Sequence, residues 1–354
     1  MVRAALVAAA LCIASSVSAQ CGSGTPDAIV DGEGTYTATV GSEQVYSGSD
    51  YFAAIEAALG GITGGQRLSV LASGSIGDNI ISVGSGIIFE GCGIIDVGYV
   101  AGHGAIESLG TSDVQFPYLT MTGAPYFGFR FYGVSGLHLG EINLDLSGGM
   151  GIRFERDEAP NSDVSMGTIT VNGAGSHAVE VWNINGLSID SVIATNVGEC
   201  GLLLQTSTNV QVGYVEGNNV AAGTGYATLR MANNNGQLPD GSYTTTNVFV
   251  DRVVSRGGGR GIFCVSMSGA AEIGSIELED NGSNAILIEN CYNISILDGT
   301  VSGGGEVRVS ARDEFPNTSG VFVELEVTGN TVRESPCAEN IFWGITGDAA
   351  LDVC

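Results

Sequence analysis

Lysine is absent from this chain of 354 residues, so its 12 basic residues are all arginines. They stand against 38 aspartates and glutamates, which gives a formal net charge of −26 and argues against nucleic acids or anionic membranes as partners. Proline is also scarce, with 7 residues, whereas glycine contributes 55. Because aliphatic residues recur along the whole chain, this glycine content predicts a turn-rich fold and not a disordered tract.

Long apolar runs are lacking as well, and none reaches the length of a membrane-spanning helix. The N-terminal run has the form of a secretory signal over residues 1–19, with Arg3, an apolar stretch over residues 4–14 and a small-residue cleavage site at Val17-Ser18-Ala19. We therefore expect a soluble, secreted monomer in which residues 20–354 form one elongated domain.

Removal of such a signal leaves seven cysteines: Cys21, Cys92, Cys200, Cys264, Cys291, Cys337 and Cys354. An odd number in a secreted protein predicts at least one free thiol or an intermolecular bridge. We expect Cys337 to bond Cys354 and staple the C-terminal tail. Cys21 and Cys92 are the expected pair that ties the N-terminal tail to the first coil, whereas Cys264 is expected to be a small core residue. Asn-x-Ser sequons, which predict a glycoprotein in a eukaryotic host, begin at Asn281, Asn293 and Asn317.

A triplet of an apolar residue, any residue and an apolar residue recurs every 21–33 residues between Gly128 and Ala311. Its copies begin at Phe129, Ile152, Val179, Leu202, Leu229, Ile262, Ile286 and Val307. A second triplet follows each copy, and most are followed by Gly or Asp and then another apolar residue. Period-two alternation predicts strands with one buried face, so three short strands per coil predict an all-β parallel β-helix.

The segments outside the repeat are predicted to cover the ends of this solenoid. Residues 21–48 are rich in Gly, Ser and Thr and are expected to form an irregular tail. A short helix over residues 49–60, capped by Ser49-Asp50 and burying Phe52, Ile55 and Leu59, is expected to cover the N-terminal end of the core; the alternative is a peripheral surface helix. Less regular coils are expected over 67–126, and a C-terminal cap over 331–354.

The middle residue of each first triplet faces solvent, because its two neighbours face the core. This outward column contains Arg130, Arg153, Glu180, Leu203, Arg230, Phe263, Leu287 and Arg308, and the column beside it contains Tyr132, Glu155, Trp182 and Gln205. Asn233 lies one residue beyond the second column, where it is positioned to stack with other asparagines. Neighbouring coils are about 4.8 Å apart, so these side chains form a contiguous track.

Insertions at residues 156–161, 233–246 and 312–317 follow first strands and are expected to build walls beside this track. Arginine pairs with carboxylates, and Tyr and Trp stack on sugar faces, which favours a groove for an extended anionic polymer. The alternative is a purely structural network in which Arg153, Glu155 and Glu180 neutralise one another. The apolar members of the outward column are either a hydrophobic floor or are covered by a returning tail.

The repeats and the groove resemble the pectin-lyase-like superfamily of right-handed parallel β-helices, which includes secreted pectate and pectin lyases and polygalacturonases. The resemblance covers most of residues 20–354 as architecture. It implies that an acidic polysaccharide lies across the first sheet, although the fold alone does not define an activity.

The resemblance implies most directly a lyase that cleaves a uronate-containing polysaccharide by β-elimination. Arg153 and Arg230 would neutralise the carboxylate, and the base would be an arginine, as in pectate lyases, or Glu180. A glycoside hydrolase would instead use Glu155 and Glu180 as its carboxylate pair, and a carbohydrate-binding module would use the same groove without chemistry. The expected substrate-binding residues are Arg130, Tyr132, Trp182, Gln205, Asn233 and Arg308.

No cofactor is firmly predicted. Family lyases often bind Ca²⁺ through acidic side chains, and Asp157, Glu158, Asp313 and Glu314 are loop carboxylates of that type, although their spacing matches no dedicated calcium loop. The three histidines are dispersed along the chain, which argues against a histidine metal site.

Overall fold

The computed structural model describes residues 20–354, so the predicted signal segment lies outside the described residues. The chain is 60% strand and 3% helix, arranged as a parallel β-solenoid of about 12 turns. This architecture confirms the fold class expected from the repeat.

The N-terminal part contains β1 (Ala28–Glu33), β2 (Thr35–Val40), β3 (Glu43–Gly48), α1 (Tyr51–Gly60), β4 (Arg67–Val70), β5 (Gly74–Gly77), β6 (Ile81–Ser82), β7 (Ile88–Val97), β8 (Gly104–Leu109) and β9 (Gln115–Gly123). The central coils contain β10 (Phe127–Tyr132), β11 (His138–Leu146), β12 (Met150–Phe154), β13 (Asn161–Asn172), β14 (Val179–Trp182), β15 (Ile184–Thr195), β16 (Leu202–Gln205), β17 (Thr208–Asn218), β18 (Ala227–Ala232) and β19 (Val248–Arg256). The C-terminal coils contain β20 (Arg260–Glu279), β21 (Asn284–Ile296), β22 (Gly299–Ser302), β23 (Glu306–Ser310), β24 (Ser319–Thr328), β25 (Thr331–Ser335), β26 (Glu339–Gly347) and β27 (Ala350–Asp352).

The first sheet of the solenoid, which carries the predicted groove, is a continuous parallel ladder. It consists of β6, β8, β10, β12, β14, β16, β18, the start of β20, the start of β21, β23, β25 and β27. Regular coils were expected only from about Phe127, but β8 already pairs in register with β10. The sheet therefore begins earlier than predicted.

The second and third strands of each coil are joined at a bend within one long strand. In β11 the pairing passes from Leu139 to Glu141 and omits Gly140, and the same omission recurs in the following coils. A Cβ atom on Gly140 would lie 2.2 Å from the carbonyl oxygen of Pro117. Glycine at this place thus allows the chain to turn close to its neighbour.

The core lies inside the coils and is filled by the inward members of the triplets. Five fully buried phenylalanines stack through neighbouring coils: Phe89, Phe116, Phe129, Phe131 and Phe154. Their ring centroids lie 5.1–6.2 Å apart, at the distance of favourable aromatic pairs.

The prediction of an irregular tail over residues 21–48 is wrong. β1, β2 and β3 form an antiparallel meander, and β1 also pairs in parallel with β4 and so extends the ladder of the solenoid. Ala28, Val30 and Ala38 are buried, because alternating small apolar residues give this ribbon one inward face.

The short helix forms as predicted, with a small difference in its buried face. The Asp50 side chain accepts a hydrogen bond from the Ala53 amide at 3.0 Å and caps α1, which contacts β1 to β6. Tyr51, Ala54, Ile55 and Ala58 are buried. Phe52 and Leu59, expected on the buried side, are only partly buried at its margins.

Two of the expected disulfides are confirmed, Cys21–Cys92 and Cys337–Cys354. Cys264 is buried in the core, as expected, and it also forms a disulfide with Cys291 in the neighbouring coil, a pair that was not predicted. Among residues 20–354 the free thiol is that of Cys200, which is buried. Three disulfides suit an oxidising environment.

The three sequon asparagines all donate hydrogen bonds through their side-chain amides. Asn281 is buried and donates to Ser255 Oγ at 2.7 Å, Asn293 donates to the Thr244 carbonyl and Asn317 to the Cys337 carbonyl. A glycan at Asn281 would displace its hydrogen bond to Ser255.

Within the described chain, no helix combines the length and hydropathy of a membrane span.

Residues 331–354, predicted as a C-terminal cap, contain β25, β26 and β27. These strands continue the ladders of β23, β24 and β25. The Cys337–Cys354 disulfide then joins the chain end to the turn between β25 and β26.

Candidate functional site

The outward column of the first sheet is in register through consecutive coils, as its spacing predicted. The pairings align Arg130 with Arg153, Arg153 with Glu180, and so on through Leu203, Arg230, Phe263, Leu287 and Arg308. Glu107 of β8 precedes Arg130 in this column, and Arg333 of β25 follows Arg308. Both were missed because the flanking coils were expected to be irregular.

Opposite charges alternate along the first part of this face and form a charge network of Glu107, Arg130, Glu155, Arg153 and Glu180. Arg130 lies 3.3 Å from Glu107 and 2.7 Å from Glu155. Arg153 lies 3.1 Å from Glu155 and also donates to Glu180. Burial disfavours the charged form of Arg130, but its hydrogen bonds to Glu155 and Glu107 outweigh this and raise its pKa.

Glu180 is the buried end of the charge network. Its Oε1 accepts hydrogen bonds from Trp182 Nε1 at 2.8 Å and Gln205 Nε2 at 2.9 Å. Burial raises its pKa, but the polar Nε2–H of His177, the charge of Arg153 and the two hydrogen bonds outweigh burial, so the net shift is downward. Glu180 therefore stays ionised, which makes it a weak base and removes it as a proton donor.

The predicted substrate-binding residues Trp182, Gln205 and Asn233 are held by the same network. Asn233 Nδ2 donates to Gln205 Oε1 at 2.6 Å, while Arg156 lies over the Trp182 ring at 5.6 Å. Tyr132 lies under the Arg130 guanidinium at 5.5 Å. These side chains orient the charge network, and Trp182 has only 8% of its surface exposed.

His177 lies next to Glu180 in the turn before β14 and has a defined tautomer. Its Nδ1 accepts the Cys200 amide proton at 3.0 Å, so Nε2 carries the ring proton and faces Glu199 Oε2 at 3.1 Å and Glu180 Oε2 at 4.0 Å. Burial lowers the pKa of His177 more than the two carboxylates raise it. The imidazole is thus neutral and donates to Glu199.

Glu199 is the more exposed of the two carboxylates beside His177. Its Oε2 accepts from His177 Nε2 and from Ser176 Oγ. Both contacts fall on Oε2, which leaves Oε1 without a donor among residues 20–354. Glu199 therefore presents one oriented, unoccupied oxygen at the edge of the first sheet.

Arg230 differs from the other arginines of the outward column. Its guanidinium lies 5.0 Å from the Tyr226 ring centroid and 4.9 Å from that of Phe263, and in residues 20–354 no carboxylate forms an ion pair with it. Its Nε is buried without a hydrogen-bond acceptor, as are the Nε atoms of Arg308 and Arg333 in the same column. Arg260 also forms no ion pair with a carboxylate of residues 20–354, and its guanidinium lies 4.7 Å from the centroid of the Phe263 ring. Its Nε donates to Asn284 Oδ1 and its Nη1 to the Gly225 carbonyl, so Nη2 is the nitrogen that neither bond uses.

These two arginines rest on an apolar cluster outside the main core. Cys200, Leu203, Ala227, Ala232, Phe263, Val265 and Leu287 form this cluster, with Tyr226 packed against it. Leu203, Phe263 and Leu287 have 3–7% of their surfaces exposed. These three side chains therefore support the arginines from below and do not form an open hydrophobic floor. Tyr226, Arg230 and Arg260 cover them, and a returning tail does not.

The structure brings some of the predicted site residues together and separates others. Arg130, Arg153, Glu155 and Glu180 form one continuous network, whereas Leu203 separates Arg230 from Glu180 along the column. Arg308 lies three coils beyond Arg230 and pairs with Glu306 at 3.3 Å. Around Arg230 the structure instead places Glu199, Tyr226 and Arg260, which sequence reasoning did not select because they lie in or beside the turns before the first strands.

Two of the four loop carboxylates suggested for calcium pair with arginine. Asp157 pairs with Arg156 at 3.0 Å, and Glu314 pairs with Arg312 at 2.8 Å. Among the described residues, the cluster of metal-ligating types is Cys21, Glu90 and Cys92, whose two cysteines are bonded to each other. This geometry does not define a metal centre.

A second depression lies at the bend between the second and third strands, with a volume of about 530 Å³. Glu141 and Asp190 line it together with Thr168 and Thr170, and its lining contains no arginine. It lacks the cations needed for an anionic ligand, which the first sheet provides.

Comparisons of the chain with models of known protein families, with characterised proteins and with solved structures give no match. The parallel β-solenoid itself is consistent with the pectin-lyase-like superfamily that the repeats resemble.

Proposed function

We propose that the protein is an extracellular enzyme that binds an acidic polysaccharide along the first sheet and cleaves it as a lyase by β-elimination at Arg230. A parallel β-helix fits polysaccharide-active proteins in general. Arg230, Arg260, Glu199 and Tyr226 carry out the chemistry, and the charge network forms a wall beside the bound polysaccharide.

The observation that carries the proposal is the state of Arg230. In a chain with a net charge of −26, its guanidinium pairs with no carboxylate of residues 20–354 and lies against the Tyr226 and Phe263 rings. A partly buried charge without an opposite charge beside it is costly, and an anionic ligand would supply that partner. A uronate carboxylate accepts the two parallel N–H bonds that a guanidinium offers.

The roles follow from the chemistry of elimination. Arg230 and Arg260 neutralise the uronate carboxylate and stabilise the charge that develops when the C5 proton leaves. Glu199 Oε1 takes that proton while His177 and Ser176 hold Oε2, the C4–C5 double bond forms and the C4–O4 bond breaks. The Tyr226 hydroxyl donates a proton to O4; burial raises the pKa of Tyr226, which keeps it protonated.

The hydrolase alternative with Glu155 and Glu180 receives less support. Both carboxylates bind Arg153, whose guanidinium lies where a water molecule or sugar would have to enter. A hydrolase also needs one protonated carboxylic acid, and the lowered pKa of Glu180 opposes this.

The test is an assay of the purified protein on polygalacturonate, alginate, hyaluronan and a neutral glucan, with Ca²⁺ or with EDTA, following ultraviolet absorbance and reducing ends together. A lyase raises both signals on a uronate polymer. Reducing ends alone indicate a hydrolase, and retention of the polymer without product indicates a binding module. An absence of both product and retention on every polymer contradicts the proposal.

Variants connect the activity to the site. We expect Arg230→Ala to weaken binding of the cleaved polymer about tenfold or more and to abolish product, because the lost bonds are charge-assisted. Glu199→Gln should retain binding and lose product. Arg252→Ala, which removes an arginine that is 52% exposed and pairs with Glu277, is the matched control and should behave like the unmodified protein.

A further inference from the structure

Three aromatic side chains form a surface cluster near the N-terminal end of the first sheet. Tyr99 and Tyr126 have 56% and 37% of their surfaces exposed. The ring centroids of Tyr99 and Tyr126 lie 5.5 Å apart, and those of Tyr126 and Phe127 lie 4.5 Å apart, both edge to face. The three rings contact one another edge to face, and those of Tyr99 and Tyr126 remain exposed to solvent.

This aromatic cluster and the proposed catalytic residues share one edge of the solenoid. The register aligns Tyr126, Gly149, Ser176, Glu199 and Tyr226 in consecutive turns before the first strands. Backbone hydrogen bonds from Ser176 to Gly149 and from Glu199 to Ser176 join neighbouring members. Four coils separate Tyr126 from Tyr226, or roughly 19 Å at the spacing of adjacent strands.

The path between the two ends is open and low. Gly148, Gly149 and Gly175 occupy the turns between Tyr126 and Ser176, so no large side chain rises from them. Phe127 connects the aromatic cluster to the charge network, because the Arg153 guanidinium lies 5.8 Å from its ring centroid. The aromatic cluster is therefore continuous with the groove.

We propose that Tyr99 and Tyr126 form a stacking subsite for a sugar ring of the same acidic polymer, which lies parallel to the solenoid axis and reaches Arg230 with another of its units. The inference rests on the proposed function and adds a direction and a minimum ligand length to it. Flat, exposed rings with an apolar face and a polar hydroxyl suit the C–H face of a pyranose. The ligand must span about four coils to occupy both ends, so long oligomers bind more tightly than short ones.

The experiment measures dissociation constants for size-fractionated oligomers of polygalacturonate and of alginate, from dimers to decamers, in the Glu199→Gln background so that the oligomers stay intact. We expect Tyr99→Ala/Tyr126→Ala to weaken decamer binding about fivefold to tenfold and to leave dimer binding unchanged. Phe342→Ala, which removes an aromatic ring that is 49% exposed and stacks on Phe322, is the matched control.

Each outcome separates the subsite from the function. Equal decamer binding by the double variant and its parent, or an equal loss for dimers and decamers, overturns the subsite and leaves the proposed function in place. If the parent binds neither series at any length, the proposed function for these polymers fails together with the subsite. Thermal melting checks that the variants are folded, as expected for exposed positions.

Discussion

His177 shows at the scale of one residue how the site fixes its protonation. A buried imidazole between two carboxylates is expected to be charged. Here, however, the Cys200 amide donates a hydrogen bond to Nδ1, so this nitrogen accepts and carries no proton of its own. Burial supports the same state, because it lowers the pKa of His177 below its ordinary value of 6.5. The neutral ring then serves as a directed donor to Glu199.

This arrangement predicts a loss of stability in acid. The unfolded chain takes up a proton on His177 at a higher pH than the folded chain does, so stability falls as the pH drops below the ordinary pKa of 6.5. Glu180 acts in the same direction at lower pH, since its lowered pKa gives stability that is lost below its ordinary value of 4.5. In His177→Gln, whose amide oxygen can still accept from Cys200, we expect a flatter dependence of the urea midpoint on pH.

His138→Gln provides the control for that measurement, because the His138 ring contacts the Ser165 hydroxyl at 2.9 Å and forms no ion pair with a carboxylate of residues 20–354. The control should keep the slope of the unmodified protein. A His177→Gln variant whose urea midpoint falls with pH as steeply as that of the unmodified protein would contradict the assignment of a neutral buried imidazole.

At the scale of the elements, the Cys264–Cys291 disulfide joins two coils from inside the solenoid. The bond closes a segment of 27 residues, about one turn of the repeat. Loop-closure entropy for this length corresponds to about 3 kcal/mol of stabilisation. We expect Cys264→Ala/Cys291→Ala to lower the free energy of unfolding in urea by about that amount, with Cys200→Ala as the control that removes a buried thiol but no cross-link. An equal loss in both variants would show that packing, and not the cross-link, is responsible.

The same scale shows what the sequence could predict. The repeat predicted the register of Arg130, Arg153 and Glu180, because apolar residues two apart define which side chains face outward. The repeat could not select Glu199 or Tyr226, because turn residues lie outside that alternation. Only an alignment of the turns with one another would have placed these two residues side by side. The ribbon over residues 28–48 was missed because its pairing is antiparallel and does not follow the repeat. The spacing of Cys264 and Cys291 matched one coil and was an available signal for their bond.

At the scale of the whole molecule, the anion site that we propose at Arg230 belongs to a chain with a net charge of −26. Every arginine in residues 20–354 except Arg230 and Arg260 pairs with a carboxylate. The excess acidic residues produce a field that repels a polyanion at long range. The attraction between Arg230 and a uronate carboxylate acts only at short distance and in a partly buried setting. Salt therefore screens it less than it screens the long-range repulsion.

These two ranges predict an unusual salt dependence. Raising the salt concentration from about 0.01 M to about 0.1 M shortens the Debye length from about 30 Å to about 10 Å, which screens the repulsion before it weakens the contact with Arg230. We expect the association rate with a uronate polymer to increase over this range, measured by stopped flow, and the rate with a neutral glucan, if it binds, to stay constant. In a groove surrounded by positive charge, the association rate would instead fall as the salt concentration rises. A rate that falls steadily with salt would therefore contradict binding at Arg230 and place the polymer on another surface.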